Sequence, residues 1–259
     1  MRDNHLHTCF SYDCETDFRD YLEHYEGEIV TTEHFDLSNP YGGKLQDDIP
    51  DYEAYSLKIA ELKRLYGDRI KKGIEIGYYA PREADILAYL ADKDYDLKLL
   101  SVHHNGQFDY LEDAVLSLDR QGFIPQYLAE LEQAIERVPA HVLAHFDYGF
   151  RRLDLRPEDL QQFEPQLRQV FQKMIAYDLA FELNSKSMYL YGNQALYRYA
   201  LGLVCDLGCQ KFSVGSDGHS LEHFRLNFAQ IADLLAEFGI DETKLLWKYS
   251  LIFERKTDD

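Results

Sequence analysis

Two histidines one residue apart, His5 and His7, stand near the start of the chain. Side chains two apart on an extended strand share a face, so both imidazoles can converge on one metal ion, at about 2.0–2.1 Å if it is zinc. Glu75 interrupts the apolar run Gly73-Ile74-Glu75-Ile76-Gly77. A buried carboxylate without a partner costs roughly several kcal/mol, and a bound cation would offset that cost. Ser216-Asp217-Gly218-His219 offers a carboxylate and an imidazole two residues apart, with Gly218 free to take the backbone conformation that close approach requires. His34, His103-His104 and His145 each follow an apolar run. Of the 10 histidines, only His24, His141 and His223 stand away from the ends of such runs. Each of these residues has an ordinary structural reading by itself; jointly they point to several cations held by imidazoles and carboxylates.

The elements that must position them are short β-like runs separated by longer amphipathic segments. The runs are residues 2–7, 28–32, 72–76, 97–102, 141–144, 179–183 and 211–214. Helical spacing predicts helices over 52–66, 82–90, 124–137 and 158–177, and another around 228–238. Pro81 suits a first helical turn. This alternation predicts an α/β fold with a parallel sheet or barrel, in which chemistry gathers at the C-terminal ends of the strands. Residues 37–51, with Pro40, Gly42, Gly43 and Pro50, read as a long loop, and 105–121 as mixed structure. Cys205 and Cys209 are spaced as one partly buried helix face. No linker, repeat or low-complexity tract divides the chain, so residues 1–259 are expected to form a single domain.

Bulk composition narrows the partners. Asp and Glu number 46 against 27 Lys and Arg, for a formal net charge of -19. Such a surface repels nucleic-acid backbones and anionic membranes at long range. No apolar run approaches the roughly 18 residues of a membrane helix, and the N-terminus MRDNHLHTCF lacks a signal-peptide layout. Four cysteines are too few for a disulfide scaffold and read as reduced thiols. The expectation is a cytoplasmic protein that binds neither nucleic acid nor membrane.

In this order, the candidate ligands resemble the PHP family, named for polymerase and histidinol phosphatase domains. That resemblance implies a distorted (β/α)7 TIM-like barrel with a trinuclear metal site. The family's signals appear as His5/His7, His34, Glu75, His103, His145 and Asp217/His219, spread over residues 3–219. It implies one ion on His5, His7, Glu75 and Asp217, and a second that shares Glu75 and adds His103 and His145. A third would take His34, His219 and Asp13, the acid six residues beyond the second histidine. Many members carry Asp where this chain has Glu33, a change that leaves the ligands untouched. Length and the absence of extra domains are most similar to the monofunctional histidinol-phosphate phosphatases.

The activity expected is hydrolysis of a small phosphomonoester, L-histidinol phosphate first, by a hydroxide bridging two of three divalent ions. Mixed nitrogen and oxygen ligands suit Zn, Mn and Fe alike. Arg151 and Arg152 are candidates for binding phosphate, because a guanidinium fork matches its oxygens. His104 and Asp147 are candidate proton donors to the leaving group, the 37–51 loop is expected to shape the pocket, and Asn184 and Lys186 to line it. The alternatives are a phosphodiesterase or exonuclease, a phosphotyrosine phosphatase, and a metal-binding barrel without activity.

Overall fold

Alternation of aliphatic runs with amphipathic helices produces a sheet wrapped by helices. The computed structural model describes residues 1–41 and 44–246; Gly42 and Gly43 of the expected loop, and the end of the expected single domain, lie outside the described residues. In chain order the elements are α1 (Phe18–His24), β1 (Ile29–Tyr41), β2 (Lys44–Asp48), α2 (Tyr52–Tyr66), β3 (Ile70–Gly77), α3 (Glu83–Leu90), β4 (Leu97–Ser101), α4 (Arg120–Arg137), β5 (Val142–Leu143), α5 (Pro157–Gln161), α6 (Glu164–Ala176), β6 (Ala180–Asn184), α7 (Ser185–Tyr189), α8 (Gln194–Asp206), β7 (Phe212–Gly215) and α9 (Phe228–Glu237). Carboxylates open several helices: Asp17, Asp51 and Asp119 accept from backbone N–H groups of the first turns of α1, α2 and α4.

The sheet order is β2-β1-β3-β4-β5-β6-β7. From β1 through β7 each neighbouring pair is parallel, and only β2 runs antiparallel, as the hairpin partner of β1. The first expected run is no continuous ladder. It is bridged to β1 at Asp3–Ile29 and, on its other side, to the segment after β7 at Leu6–Gly218. Val30 N donates to Asp3 O (2.8 Å) and Thr32 N to Leu6 O (2.7 Å), while Asn4 N donates to Val214 O (3.0 Å) and His7 N to Gly218 O (2.9 Å). The N-terminal segment thus closes the parallel strands into the expected distorted barrel, and its two histidines enter the interior.

Strand pleating divides the residues between two cores. Outward positions such as Ile74, Ile76, Leu100, Leu143, Phe181, Leu183, Phe212 and Val214 pack against the helices in the main apolar cluster. Inward positions Val30, Leu97, Leu99, Val142, Ala144 and Ala180 form a separate small cluster with Leu246.

Three expectations are corrected. Residues 37–51 are mostly a β-hairpin, not a loop: beyond Asp36, β1 pairs only with β2, so Pro40 sits where one side of the strand has no partner in the sheet. Residues 158–177 form two helices, because Pro165 in the first turn of α6 cannot continue the bonds of α5. Cys209 lies past the end of α8 rather than on its face, its thiol 3.2 Å from Lys211 O. Sequence reading also missed α1 and α7, and touched α8 only through the spacing at Cys205.

Candidate metal centre

The inward rows of the barrel converge on Glu75. In register, His34 of β1 lies beside Glu75 of β3, which lies beside Leu99 of β4. Glu75 is wholly buried and its two oxygens face different groups. Oε1 lies 3.1 Å from His103 Nε2 and 2.7 Å from His145 Nε2. Oε2 lies 3.2 Å from His5 Nε2, 3.5 Å from His7 Nε2 and 3.1 Å from His34 Nδ1. At the rim, Asp13 Oδ2 is 3.1 Å from His219 Nε2 and 3.5 Å from His34 Nε2. Asp217 follows β7 in the left-handed region at φ 52°, which turns Oδ1 to 3.8 Å from His7 Nε2. A branched or bulky side chain would be strained there; Asp tolerates it.

This donor set fits bound cations. His5 Nε2 and His7 Nε2 are 3.2 Å apart, and His34 Nε2 and His219 Nε2 are 3.3 Å apart. Tetrahedral ligands at bond lengths of about 2.0–2.1 Å lie roughly 3.3–3.4 Å from one another. Donor atoms of four sets each lie within 4.8 Å of one another: His5, His7 and Glu75; His5, His145 and Asp217; His34, Glu75 and His103; His7, His34 and His219. Glu75 Oε2 and His34 Nδ1 are buried without a hydrogen bond that satisfies either, the condition a cation relieves.

The field inside the cluster is strong. Burial would raise the Glu75 carboxyl, but the imidazoles of His5, His103, His145 and His34 hold it well below its ordinary value. Burial likewise opposes charge on Asp217, yet Lys186, His5 and Arg151 hold its carboxyl well below the usual range. His7 is pushed well down, first by burial and then by His34 and His219, which keeps its ring neutral and free to act as a ligand.

Several residues that sequence reading assigned no ligand role support the cluster, Glu33 among them. Asp36 Oδ1 lies 2.9 Å from His103 Nδ1. Glu182 Oε1 lies 2.7 Å from His5 Nδ1, and its other oxygen accepts from His145 N at 2.8 Å. Glu33 accepts from Thr8 N (3.1 Å), Thr8 Oγ1 (2.7 Å) and Ser11 Oγ (2.7 Å), and Ser11 Oγ meets His7 Nδ1 at 3.2 Å. Two glycines were the available signal. A Cβ at Gly77 would fall 1.7 Å from Asp36 Oδ1, and one at Gly215 would fall 2.6 Å from Glu182 Oε1.

The expected substrate-side residues fall in different places. Lys186 lines the cavity with Tyr12, Leu111 and Tyr148, its Nζ 3.1 Å from Asp217 Oδ1 and 3.2 Å from His219 Nδ1. Arg151 is buried beneath Asp217, NH1 3.3 Å from Asp217 Oδ2 and NH2 3.4 Å from Asn184 Oδ1. Arg152 turns away, donating to Leu111 O at 2.5 Å and pairing with Asp113 at 2.9 Å. Asp147 is enclosed by Ser187, Asn193 (2.9 Å) and Tyr197 (2.9 Å). His104 accepts from Gly106 N at 3.0 Å and packs on Tyr79, outside the residues that line the cavity. None of the described residues of 37–51, expected to shape the pocket, lines the cavity; Arg82 clamps this hairpin on Asp47 (2.9 and 3.1 Å) and Ser38 (3.0 Å).

Comparison with known proteins decides the family. A family model described as the PHP domain matches residues 3–186. The chain belongs to the PHP family. The match takes in every candidate ligand except Asp217 and His219, which lie beyond it. A Thermotoga maritima protein named probable histidinol-phosphatase is 24% identical over 244 residues, covering 93% of this chain and 94% of that one. The crystal structure of histidinol phosphate phosphatase from Lactococcus lactis subsp. lactis, complexed with zinc, L-histidinol and phosphate, matches this PHP chain with a TM-score of 0.79. The match covers 93% of this chain and 94% of that one at 20% identity, and it establishes the barrel fold.

Proposed function

We propose that this PHP protein is a metal-dependent phosphomonoesterase that hydrolyses L-histidinol phosphate to L-histidinol and phosphate. The observation that carries the reading is the split engagement of Glu75, one oxygen toward His103 and His145, the other toward His5, His7 and His34. A carboxylate so placed suits a bridge between neighbouring cations. His5, His7, Glu75 and Asp217 would hold one divalent ion, Glu75, His103 and His145 a second, and Asp13, His34 and His219 a third. Zn, Mn and Fe all suit these ligands. The names of the Thermotoga and Lactococcus proteins support the substrate.

When bound, the ions would supply a water of lowered pKa and positive charge toward phosphate oxygens. The protein's own groups bind and position the substrate. Lys186 presents its ammonium to the cavity and can follow a phosphate oxygen. Arg151 stays beneath Asp217 and holds that carboxylate in place. Tyr12 and Tyr148 line the cavity with aromatic side chains suited to the planar imidazole ring of the departing histidinol. Among the described residues no helix is long and apolar enough to cross a membrane. A place in histidine synthesis within the cytoplasm, as a single domain acting on a small molecule, completes the proposal.

Turnover of histidinol phosphate, a dinucleotide and a phosphotyrosine peptide, each with and without chelator, tests it. The reading expects chelator-sensitive hydrolysis with histidinol phosphate far ahead. Faster turnover of the dinucleotide or the peptide would overturn the substrate.

A further inference from the structure

His5, His103 and His145 each turn Nε2 toward Glu75, and their opposite nitrogens are treated unequally. His103 Nδ1 meets Asp36 Oδ1 at 2.9 Å, and His5 Nδ1 meets Glu182 Oε1 at 2.7 Å. Both acids are buried, Asp36 to 1% and Glu182 to 1% relative exposure. His145 is the internal contrast, because its buried Nδ1 has no hydrogen-bond partner. The two acids also fit spaces left by Gly77 and Gly215, where a Cβ would collide with a carboxylate oxygen.

A neutral imidazole carries a single N–H. Donated from Nδ1 to a carboxylate, that proton leaves the Nε2 lone pair free, and Nε2 is the atom that faces Glu75 in both residues. A carboxylate partner also makes the imidazole a more basic ligand. The two acids serve different groups: Asp36 acts on His103 and stands 3.7 Å from His34 Nδ1, whereas Glu182 acts on His5 and braces the backbone of His145.

We propose that Asp36 and Glu182 are positioning residues for two different ion sites, Asp36 fixing His103 and Glu182 fixing His5 with Nε2 free to bind. This rests on the ion-cluster reading above. Neither acid touches an ion; each sets the tautomer and tilt of the ring that does.

The test uses full-length wild-type protein, Asp36→Asn and Glu182→Gln, each crystallised with zinc and soaked in graded chelator. Anomalous peak heights then report every ion site separately. Asp36→Asn is expected to empty the site at His103 at roughly 10–100-fold lower chelator than wild type, with the site at His5 and His7 retained. Glu182→Gln is expected to reverse that order. Sites that empty together in each variant would mark the acids as general structural supports and overturn the proposal, as would variants that hold zinc as tightly as wild type. A wild-type map with no peaks at all would instead overturn the ion-cluster reading, and this proposal with it.

Discussion

The two ends of the barrel interior obey opposite rules although the same strands build both. At the N-terminal ends, inward positions of β1, β4, β5 and β6 carry Val30, Leu97, Val142 and Ala180, which pack with Leu246 into a small dry cluster. A few residues further on, the same strands deliver His34, His103, His145 and Glu182 into a cluster of buried titratable groups. The first end gains from removing apolar surface from water. The second buries carboxylates and imidazoles, which is unfavourable unless charge is compensated. The stable end therefore holds the barrel, and the costly end is held ready for cations.

Perturbing each end separately should break this contrast or sharpen it. The largest effect belongs to Glu75→Gln. It should lower turnover by at least about 10³-fold, about 4 kcal/mol in barrier, because one oxygen pair serves two ion sites. Paired activity and metal analysis check it; near-normal turnover would erase the distinction between the ends.

Leu97→Ala perturbs the other end. Its cavity should cost about 2–5 kcal/mol of stability, while turnover and ions per folded chain stay unchanged. Urea denaturation with metal analysis on the same samples checks both halves.

The smallest effect concerns His141, a histidine at the apolar end. Its Nδ1 accepts from Lys98 N at 2.8 Å, and burial with nearby Lys98 and Lys211 pushes its pKa down to about 4. A folded-state pKa below the unfolded value gives stability present above about pH 6.5 and lost as pH falls through about 4. Up to about 3 kcal/mol should be lost over that window, and His141→Gln should lose less. Unfolding of both chelator-stripped proteins at pH 7.5 and 4.5 gives the difference.

The sequence made the parallel framework legible because aliphatic runs and helical spacing are local signals. Residues 52–66 form a helix as spacing predicts, and the histidines lie where β-like runs end. The hairpin was illegible because Pro40 and the Gly42-Gly43 pair read as loop residues, whereas a strand with one free side tolerates proline. Residues 2–7 read as a strand, but the chain there makes only bridges, since it must serve β1 on one side and β7 on the other. At the site, ligand histidines stood out through their spacing. Asp36 and Glu182 did not, because an acid in a strand announces its partner only through three-dimensional closeness. Arg151 and Arg152 looked equivalent in sequence; backbone direction sends one beneath Asp217 and the other to Asp113.

Native mass spectrometry of the intact protein, before and after chelation and alongside histidinol phosphate turnover, tests the central claim most directly. The account predicts a mass increment of three divalent ions per chain that disappears together with activity and returns with both on reconstitution. A chain that carries no ions while hydrolysing the substrate at full rate would contradict it.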